Sequence, residues 1–260
     1  MKNLLVELGE KSILTLKYIG EVFILIGQTL FWVFIPPFKV RHVLYQMNRI
    51  GVLSLPIVSL TSLFLGMVLA FQSAYQMKQI SAEIYIASLV ALSMIREIGP
   101  VLTALIVAGR IGASITAEIG TMKVTEQIDA LETLATNPIK YLVVPRFLAS
   151  IIMLPILTIY ADMIGIFGGY MVGVWKLKIN PTMYMSMTYD PLVPKDIFTG
   201  LFKSFVFAII ISIIGCMEGF RTEGGAEGVG RATTASVVTS FILIITADCL
   251  FTALFYFVLW

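Results

Sequence analysis

Five long apolar segments set the limits on what this chain can fold into. Each holds at least the roughly 20 residues that a helix needs to cross the hydrocarbon of a bilayer. Hydrophobic residues make up 58% of the chain and charged residues only 13%, whereas about a quarter of a soluble domain is charged. The sequence therefore predicts an all-α integral membrane protein, with transmembrane helices over about residues 50–77, 84–113, 143–175, 198–217 and 234–259.

The first 40 residues differ from these segments because they mix apolar and charged positions. Apolar side chains recur at helical spacing, while Lys17 and Glu21 share the opposite side. The uninterrupted apolar part, about residues 22–35, is too short to span a bilayer comfortably. We therefore predict that residues 1–40 form an N-terminal amphipathic helix in the membrane interface and that residues 41–260 form the membrane domain.

The distribution of basic residues orients the predicted helices. With a cytoplasmic N-terminus, twelve lysines and arginines fall on the inner side of the membrane and five, including Lys203, fall on the outer side. Loops on the cytoplasmic side of membrane proteins carry the excess of such residues. The count predicts a cytoplasmic N-terminus and, after five crossings, a C-terminus outside.

A short polar segment separates the second and third predicted spans. Residues 125–136 begin at Thr125, a suitable N-cap, and Asn137-Pro138 stop the helix. At about 1.5 Å per residue such a helix reaches roughly 18 Å, too short to cross a bilayer. We predict a short amphipathic helix on the cytoplasmic side, with a passive surface connector as the alternative. Its apolar stripe includes Ile128 and Leu131, and its acids are Glu126, Asp129 and Glu132.

Arg96 and Glu97 place two opposite charges in the middle of the second apolar segment. A lone charge at that depth costs about 2.5–3.5 kcal/mol on insertion scales. Neighbouring residues point about 100° apart on a helix, so these two are poorly placed to pair with each other. Pro100 follows, and it cannot donate a hydrogen bond to the carbonyl of Arg96. The cluster predicts a binding site or passage within the membrane, with a structural tie between helices as the alternative.

Two more acids, Asp162 and Asp248, lie at similar depth in the third and fifth predicted spans. One arginine therefore faces three carboxylates, and at least two acids lack an arginine of their own. Those acids must be protonated, hydrogen-bonded or hydrated. Polar ties between helices are the structural interpretation, and a proton site is the functional one.

A stripe of side chains, largely polar, follows the outer half of the first predicted span. Its members are Leu69, Gln72, Tyr75 and Gln76, which recur at the spacing of one helix face. This stripe predicts a surface that lines a cavity opening outward, or one that packs against the polar groups of the second span.

No motif in the sequence points to catalysis. His42 is the only histidine, which excludes a histidine-based metal cluster, and the glycine-rich segment 220–234 lacks the G-x-x-x-x-G-K-[ST] pattern of a phosphate-binding loop. We interpret 220–234 as a tight inner loop bent by its glycines. No basic block suggests a nucleic-acid partner. The sequence predicts no enzymatic activity, no cofactor and no metal site.

Two stretches of the sequence closely resemble the signatures of a known family. They are REIGPVLTALIVAGRIGASITAEIGTMKVTEQIDALETLATNPIKYLVVPR and GFRTEGGAEGVGRATTASVV. Both are similar to the MlaE family of ABC-transporter permeases, and the similarity extends from about residue 45 to the end of the chain. The N-terminal 40 residues match that family only in character.

This resemblance implies a permease subunit of a phospholipid transporter in the bacterial inner membrane. MlaE-like proteins form a homodimer and join an ATPase subunit (MlaF-like), a STAS-domain subunit (MlaB-like) and a periplasmic ring of MCE-domain subunits (MlaD-like). The complex moves glycerophospholipids between the inner and outer membranes and maintains outer-membrane asymmetry. The C-terminus of this chain would then be periplasmic.

The resemblance also implies roles for particular residues. A lipid cavity at the dimer centre would be lined by Arg96, Glu97, Leu69, Gln72, Tyr75 and Gln76. The helix over 125–136 would be the coupling helix, and the residues docking in a groove of the separate ATPase would be Glu126, Ile128, Asp129, Leu131 and Glu132. Two alternatives stay open: a proton-coupled carrier that uses Asp162 or Asp248, and a scaffold that anchors periplasmic and cytoplasmic partners.

Overall fold

Helices form every regular element of the described chain, which comprises residues 2–36, 39–79 and 82–259 of a computed structural model. The predicted ranges 1–40 and 41–260 each include a few residues outside that description. In chain order the α-helices are α1 (Lys2–Val33), α2 (Val40–Ile50), α3 (Leu55–Lys78), α4 (Ile86–Ser93), α5 (Gly99–Val107), α6 (Ala113–Val124), α7 (Gln127–Thr133), α8 (Val144–Met171), α9 (Pro181–Tyr189), α10 (Pro194–Phe220) and α11 (Gly225–Leu259).

The predicted all-α membrane fold is confirmed. Six helical stretches within the described residues are long and apolar enough to cross a bilayer: Leu16–Val33, Val40–Lys78, Glu83–Val124, Ile139–Lys176, Pro194–Phe220 and Gly225–Phe257. The next four contain the first four predicted spans, and Gly225–Phe257 contains residues 234–257 of the fifth. The first lies in the segment predicted to be interfacial, and it has the lowest mean hydropathy of the six, 1.4.

The contacts of α1 show that this helix lies across one end of the bundle. Near its middle, Tyr18 donates a hydrogen bond to Glu218 (2.7 Å), and Leu25 packs into the core beside Ile128. Near its end, the Trp32 ring lies 5.2 Å from the Lys140 ammonium. Tyr18 and Trp32 are about 21 Å apart along the helix axis, yet their partners belong to the same end of the bundle. We call it the α7 end.

The described residues include four π-helical turns. Met94–Ile98 and Ala108–Gly112 lie within the Glu83–Val124 stretch, whereas Ile139–Val143 and Val172–Lys176 form the two ends of the Ile139–Lys176 stretch. Such turns widen a helix locally and occur frequently at functional sites. The first contains both Arg96 and Glu97, and α5 restarts directly after it with Gly99 and Pro100. The helix break expected from Pro100 is thus a π turn within a continuous crossing.

Glycines allow α3 and α8 to pack with their backbones in contact. A Cβ atom on Gly66 would lie 1.8 Å from the carbonyl oxygen of Gly165, and one on Gly168 would lie 2.3 Å from that of Leu63. Small residues commonly permit such close helix contacts in membranes. These contacts hold α8 against α3 along the membrane part of the bundle.

The glycine-rich segment 220–234 is not the loop that the sequence predicted. The connection between α10 and α11 is only residues 221–224, and α11 already begins at Gly225. Only Gly224 and Gly225 adopt positive φ angles, 84° and 68°, which L-residues rarely tolerate. The remaining glycines are helical, because the two positive-φ residues complete the turn and the chain then continues as a helix.

The opposite end of the bundle carries α9, and we call it the α9 end. Asn180 caps this helix by accepting hydrogen bonds from the backbone N–H groups of Thr182 (2.9 Å) and Met183 (3.4 Å). Tyr184 is buried against Gly173 and the ring of Tyr170. These contacts fix α9 against the last turns of the third crossing.

Candidate functional site

A network of charged side chains surrounds the π turn at Met94–Ile98. Arg96 donates a hydrogen bond from Nε to Oδ1 of Asp196, 2.7 Å away. The other carboxylate oxygen of Asp196 accepts from the backbone N–H of Val193 (3.1 Å). Asp196 lies in the first turn of α10, where the helix dipole favours an acid. These bonds hold the arginine against the start of the fourth crossing.

Lys203 of α10 joins the second half of the network. Its ammonium forms ion pairs with Glu97 (2.5 Å) and with Asp248 of α11 (2.9 Å). It also donates to the hydroxyl of Thr252 (2.8 Å), which lies 3.1 Å from a carboxylate oxygen of Glu97. The cluster therefore ties the π turn to both α10 and α11.

Lys203 also donates a hydrogen bond to a backbone carbonyl that lacks its usual helical donor because of Pro100. Nζ of Lys203 donates to the carbonyl oxygen of Arg96 (3.3 Å), the carbonyl that Pro100 cannot serve. Gly200, one turn earlier on α10, permits this approach, because a Cβ atom there would lie 2.2 Å from the carbonyl oxygen of Ile95. The carbonyl left without a donor by Pro100 is thus hydrogen-bonded, and the buried ammonium of Lys203 gains an acceptor.

The sequence count placed Lys203 on the outer side of the membrane, whereas the structure buries this lysine within the bundle. Its side chain is only 1% exposed, and it is the tenth residue of α10, about 14 Å from the helix start. The error arose because the predicted span began only at residue 198, which put the lysine near a boundary where long side chains usually reach water. Two cations, Arg96 and Lys203, therefore belong to the cluster, and without Lys203 the predicted count of basic residues is twelve on the inner side and four on the outer side.

The two acids singled out in the third and fifth spans have different environments. Asp248 pairs with Lys203. Asp162 lies against Gly99, and its Oδ1 is buried without a hydrogen-bond partner among the described residues. Asp162 also lines a cavity of about 690 Å³ between α8, α9 and α10, together with Ile95, Phe167, Tyr170, Tyr189 and Leu201.

The network presents part of its charge at the surface of a single copy. Asp196 and Lys203 are 1% exposed, whereas the side chains of Arg96 and Glu97 are 34% and 40% exposed. The buried partners therefore act as anchors, and the π-turn residues are the ones that a further molecule can reach.

The polar stripe on α3 has a different position. Gln72, Tyr75 and Gln76 are exposed, and Leu69 is half-buried against a small apolar cluster that includes Met94. Since those three side chains are exposed, a single copy does not enclose them in a cavity. That they line a common cavity with Arg96 and Glu97 stays a prediction, and it requires the surface of a further molecule to close the cavity.

The short helix between the second and third crossings is shorter than the predicted 125–136. It covers Gln127–Thr133, and its N-cap is Glu126 in a left-handed conformation, φ 59°. Thr125 is not the cap, because its hydroxyl donates back to the carbonyl of Thr121 (2.7 Å). Asn137 accepts from the N–H groups of Ile139 and Lys140, so it caps the helical stretch that follows.

The apolar and acidic faces of α7 point in different directions. Ile128 is 4% exposed and Leu131 packs against the same core, so they bind the helix to its own bundle. Glu126, Asp129 and Glu132 are exposed. The surface offered to a partner therefore carries these acids and Leu134, which is 75% exposed and continues the apolar stripe just after the helix, whereas Ile128 and Leu131 face the bundle.

A second ionic network, which was not predicted from the sequence, lies behind α7. Glu118 of α6 forms ion pairs with Arg49 of α2 and with Arg146 of α8, the latter at 2.8 Å. Arg110 donates to the hydroxyl of Ser54 (2.7 Å). An acid within an apolar, small-residue stretch was the available signal, because such an acid needs a partner.

Comparison with known proteins decides the family. The family model described as "Permease MlaE" matches residues 43–254. The chain belongs to the MlaE permease family. Its match takes in α3 to α10 and most of α11, including both ionic networks and α7, whereas α1 lies outside it.

Relatives of this MlaE-family chain include several bacterial permeases. A probable ABC transporter permease of Rickettsia prowazekii is 53% identical over 221 residues, 85% of each chain. One of Rickettsia bellii is 48% identical over 254 residues, 98% of each chain. The intermembrane phospholipid transport system permease protein MlaE of Haemophilus influenzae is 41% identical over 212 residues, 81% of each chain. The chain is thus a multi-pass membrane permease of the ABC transporter class.

Proposed function

We propose that this chain is the inner-membrane permease subunit of an ABC-type transporter that moves glycerophospholipids between the inner and outer membranes. The proposal extends the family assignment because the Haemophilus influenzae relative is an intermembrane phospholipid transport system permease. By this proposal the chain maintains outer-membrane asymmetry and has no catalytic activity of its own, since a separate ATPase subunit hydrolyses ATP.

One observation carries the proposal, namely the partial exposure of Arg96 and Glu97 within a membrane-spanning bundle. A glycerophospholipid headgroup carries a phosphate, which a guanidinium binds well. Headgroups such as phosphatidylethanolamine add an ammonium, which suits a carboxylate. Asp196 and Lys203 hold the two π-turn residues in place, so the charges are oriented before a lipid arrives. A charge pair serving only as a tie between helices needs no exposed side.

A second copy of the chain would complete the site. The polar stripe of α3 is exposed, and in an apolar 18-residue part of α11 only 11% of the residues are buried within one copy. We propose a homodimer in which such uncovered surfaces meet. The stripe and the charge cluster of each copy would then line one cavity that opens at the α9 end.

The α7 end is cytoplasmic in this proposal, because it carries the twelve-to-four excess of basic residues. The helix α1 lies in the interface there, as its contacts with that one end support. The exposed acids of α7 would dock on the MlaF-like ATPase, and Ile128 and the Glu118 network would pass the motion to α2 and α8. The remaining partners would be an MlaB-like STAS subunit inside and an MlaD-like MCE ring outside.

The test is purification of the chain with its neighbouring subunits, followed by mass spectrometry of the subunits and lipids and by an ATP-dependent lipid-transfer assay. We expect an ATPase and glycerophospholipid to co-purify, and Glu97→Gln to lower lipid recovery. Asp129→Lys/Glu132→Lys should release the ATPase, whereas the control Glu83→Lys/Asp190→Lys makes the same charge change at the α9 end and should not. Transfer that proceeds without ATP refutes the proposal.

A proton-coupled carrier is the second function with an observation in its favour, namely the buried Asp162 oxygen, for which the described residues provide no hydrogen-bond partner. Such a carrier works alone. Proteoliposomes containing only this chain should then move lipid when a pH gradient is applied, and Asp162→Asn should abolish that movement. The permease proposal expects no transport in this experiment until the ATPase is added.

A further inference from the structure

A second cavity lies at the α7 end, apart from the charge cluster. It has a volume of about 520 Å³ and lies between the end of α1, the start of α2 and the start of α8. Its walls are mostly apolar and include Trp32, Val40, Val43, Tyr141 and Leu148. Ligand pockets usually measure about 300–1,000 Å³, so the cleft has room for part of an amphiphile.

Two lysines line this cleft, and aromatic rings hold both. The Lys39 ammonium lies 4.0 Å from the centroid of the Tyr141 ring. The Lys140 ammonium lies 5.2 Å from that of Trp32 and donates to the carbonyl of Pro36 (3.0 Å). Among the side chains that the structure describes, no carboxylate forms an ion pair with either lysine. The cleft therefore carries two positive charges that no carboxylate in the described part of the chain neutralises.

We infer that this cleft binds one anionic phospholipid of the adjoining leaflet. The headgroup phosphate would lie between Lys39 and Lys140, and an acyl chain would pack along Val43 and Leu148. Tryptophan and tyrosine favour the level of lipid headgroups, and basic pockets between membrane helices bind anionic headgroups. Charge complementarity and the apolar walls together select a lipid over a soluble anion.

The position of the cleft places the bound lipid against the segment that follows α7. Its wall also includes Ala135, Thr136 and Asn137, the segment that connects α7 to the third crossing. A lipid in the cleft would therefore bridge α1 and α2 to the segment behind α7. The inference goes beyond the proposed function, because such a lipid is held in place and its binding needs neither ATP nor transport.

Fluorescence of Trp32 gives a readout specific to this cleft. The chain has three tryptophans, so Trp175→Phe/Trp260→Phe leaves Trp32 alone. The full chain is titrated in detergent with phosphatidylglycerol brominated on its acyl chains, and separately with phosphatidylcholine brominated in the same way. We expect half-maximal quenching at about thirty-fold less phosphatidylglycerol, since two lysines contribute to the difference. Equal quenching by the two lipids overturns the inference.

Variants separate the cleft from general membrane charge. Lys39→Gln/Lys140→Gln should abolish the preference for phosphatidylglycerol, whereas the matched control Lys176→Gln/Lys178→Gln removes two charges near the α9 end and should keep it. Lys39→Arg/Lys140→Arg preserves the charge and should also keep it, which guards against misfolding of the first variant. Val43→Trp should fill the cleft and displace one lipid. Native mass spectrometry checks this by counting the bound lipids, a readout that does not depend on Trp32 fluorescence. A preference that survives Lys39→Gln/Lys140→Gln, or loss of the lipid once partner subunits bind, refutes the inference.

Discussion

Removal of Lys203 should destabilise the protein more than removal of any exposed lysine. Lys203→Met keeps the length of the side chain but leaves Glu97 and Asp248 without their cation. Breaking a buried ion pair by removing one partner costs about 3–5 kcal/mol. For a chain near this size, each kcal/mol shifts the melting temperature by about 2–4 °C. We therefore expect the melting temperature to fall by roughly 10 °C.

The assay is the loss of the monodisperse peak in size-exclusion chromatography after heating the detergent-solubilised protein. Lys176→Met, at an exposed position, is the matched control and should leave the midpoint unchanged. The triple variant Lys203→Met/Glu97→Gln/Asp248→Asn removes the whole charged group with little change in volume. Replacement of a complete buried pair is often close to neutral, so the triple variant should recover most of the loss.

Two results would refute this reasoning. If Lys203→Met has the same melting temperature as the wild type, the lysine is not the cation that compensates Glu97 and Asp248 in the membrane. If the triple variant is no more stable than the single one, the loss comes from the missing bond to the Arg96 carbonyl and not from uncompensated charge.

Two further substitutions test the packing and the second ionic network by the same thermal assay. Gly66→Val should lower the free energy of unfolding by about 3 kcal/mol, the upper end of overpacking costs, because its Cβ would meet the backbone oxygen of Gly165. A melting temperature equal to that of the wild type would contradict the close contact between α3 and α8. Glu118→Gln should cost about 2 kcal/mol, as expected for lost hydrogen bonds to charged groups, because Arg146 is nearly buried; the exposed Glu132→Gln should cost nothing, and equal effects of the two would count against the network.

Sequence patterns predicted the crossings better than the sites at their ends. All five spans were found, because apolar runs of about 20 residues have few alternative structures. Their ends were less certain: α10 begins at Pro194 and not near 198, and α11 begins at Gly225 and not near 234. Charged and glycine-containing turns extend a membrane helix beyond its apolar part, so hydropathy alone places the boundaries too far inside.

The candidate site was predicted only in part, for a related reason. Arg96 and Glu97 were visible because charges are rare in an apolar run. Their partners Asp196 and Lys203 stand 100 and 106 positions further along the chain and near a predicted helix end, so no local pattern joins them. The apolar stripe of α7 was visible as well, but periodicity does not say whether such a stripe faces a partner or its own core.

The sequence by itself determined that this chain is a bundle of membrane-crossing helices with charge at mid-depth, because in hydrocarbon every backbone hydrogen bond must be made within the segment. Only the tertiary structure decided which charges meet. Lys203 reaches Glu97, Asp248 and the Arg96 carbonyl because a π turn widens one helix and Gly200 lets another approach it. Such pairing depends on the distances between helices, which are set by packing across the whole bundle and not by neighbouring residues.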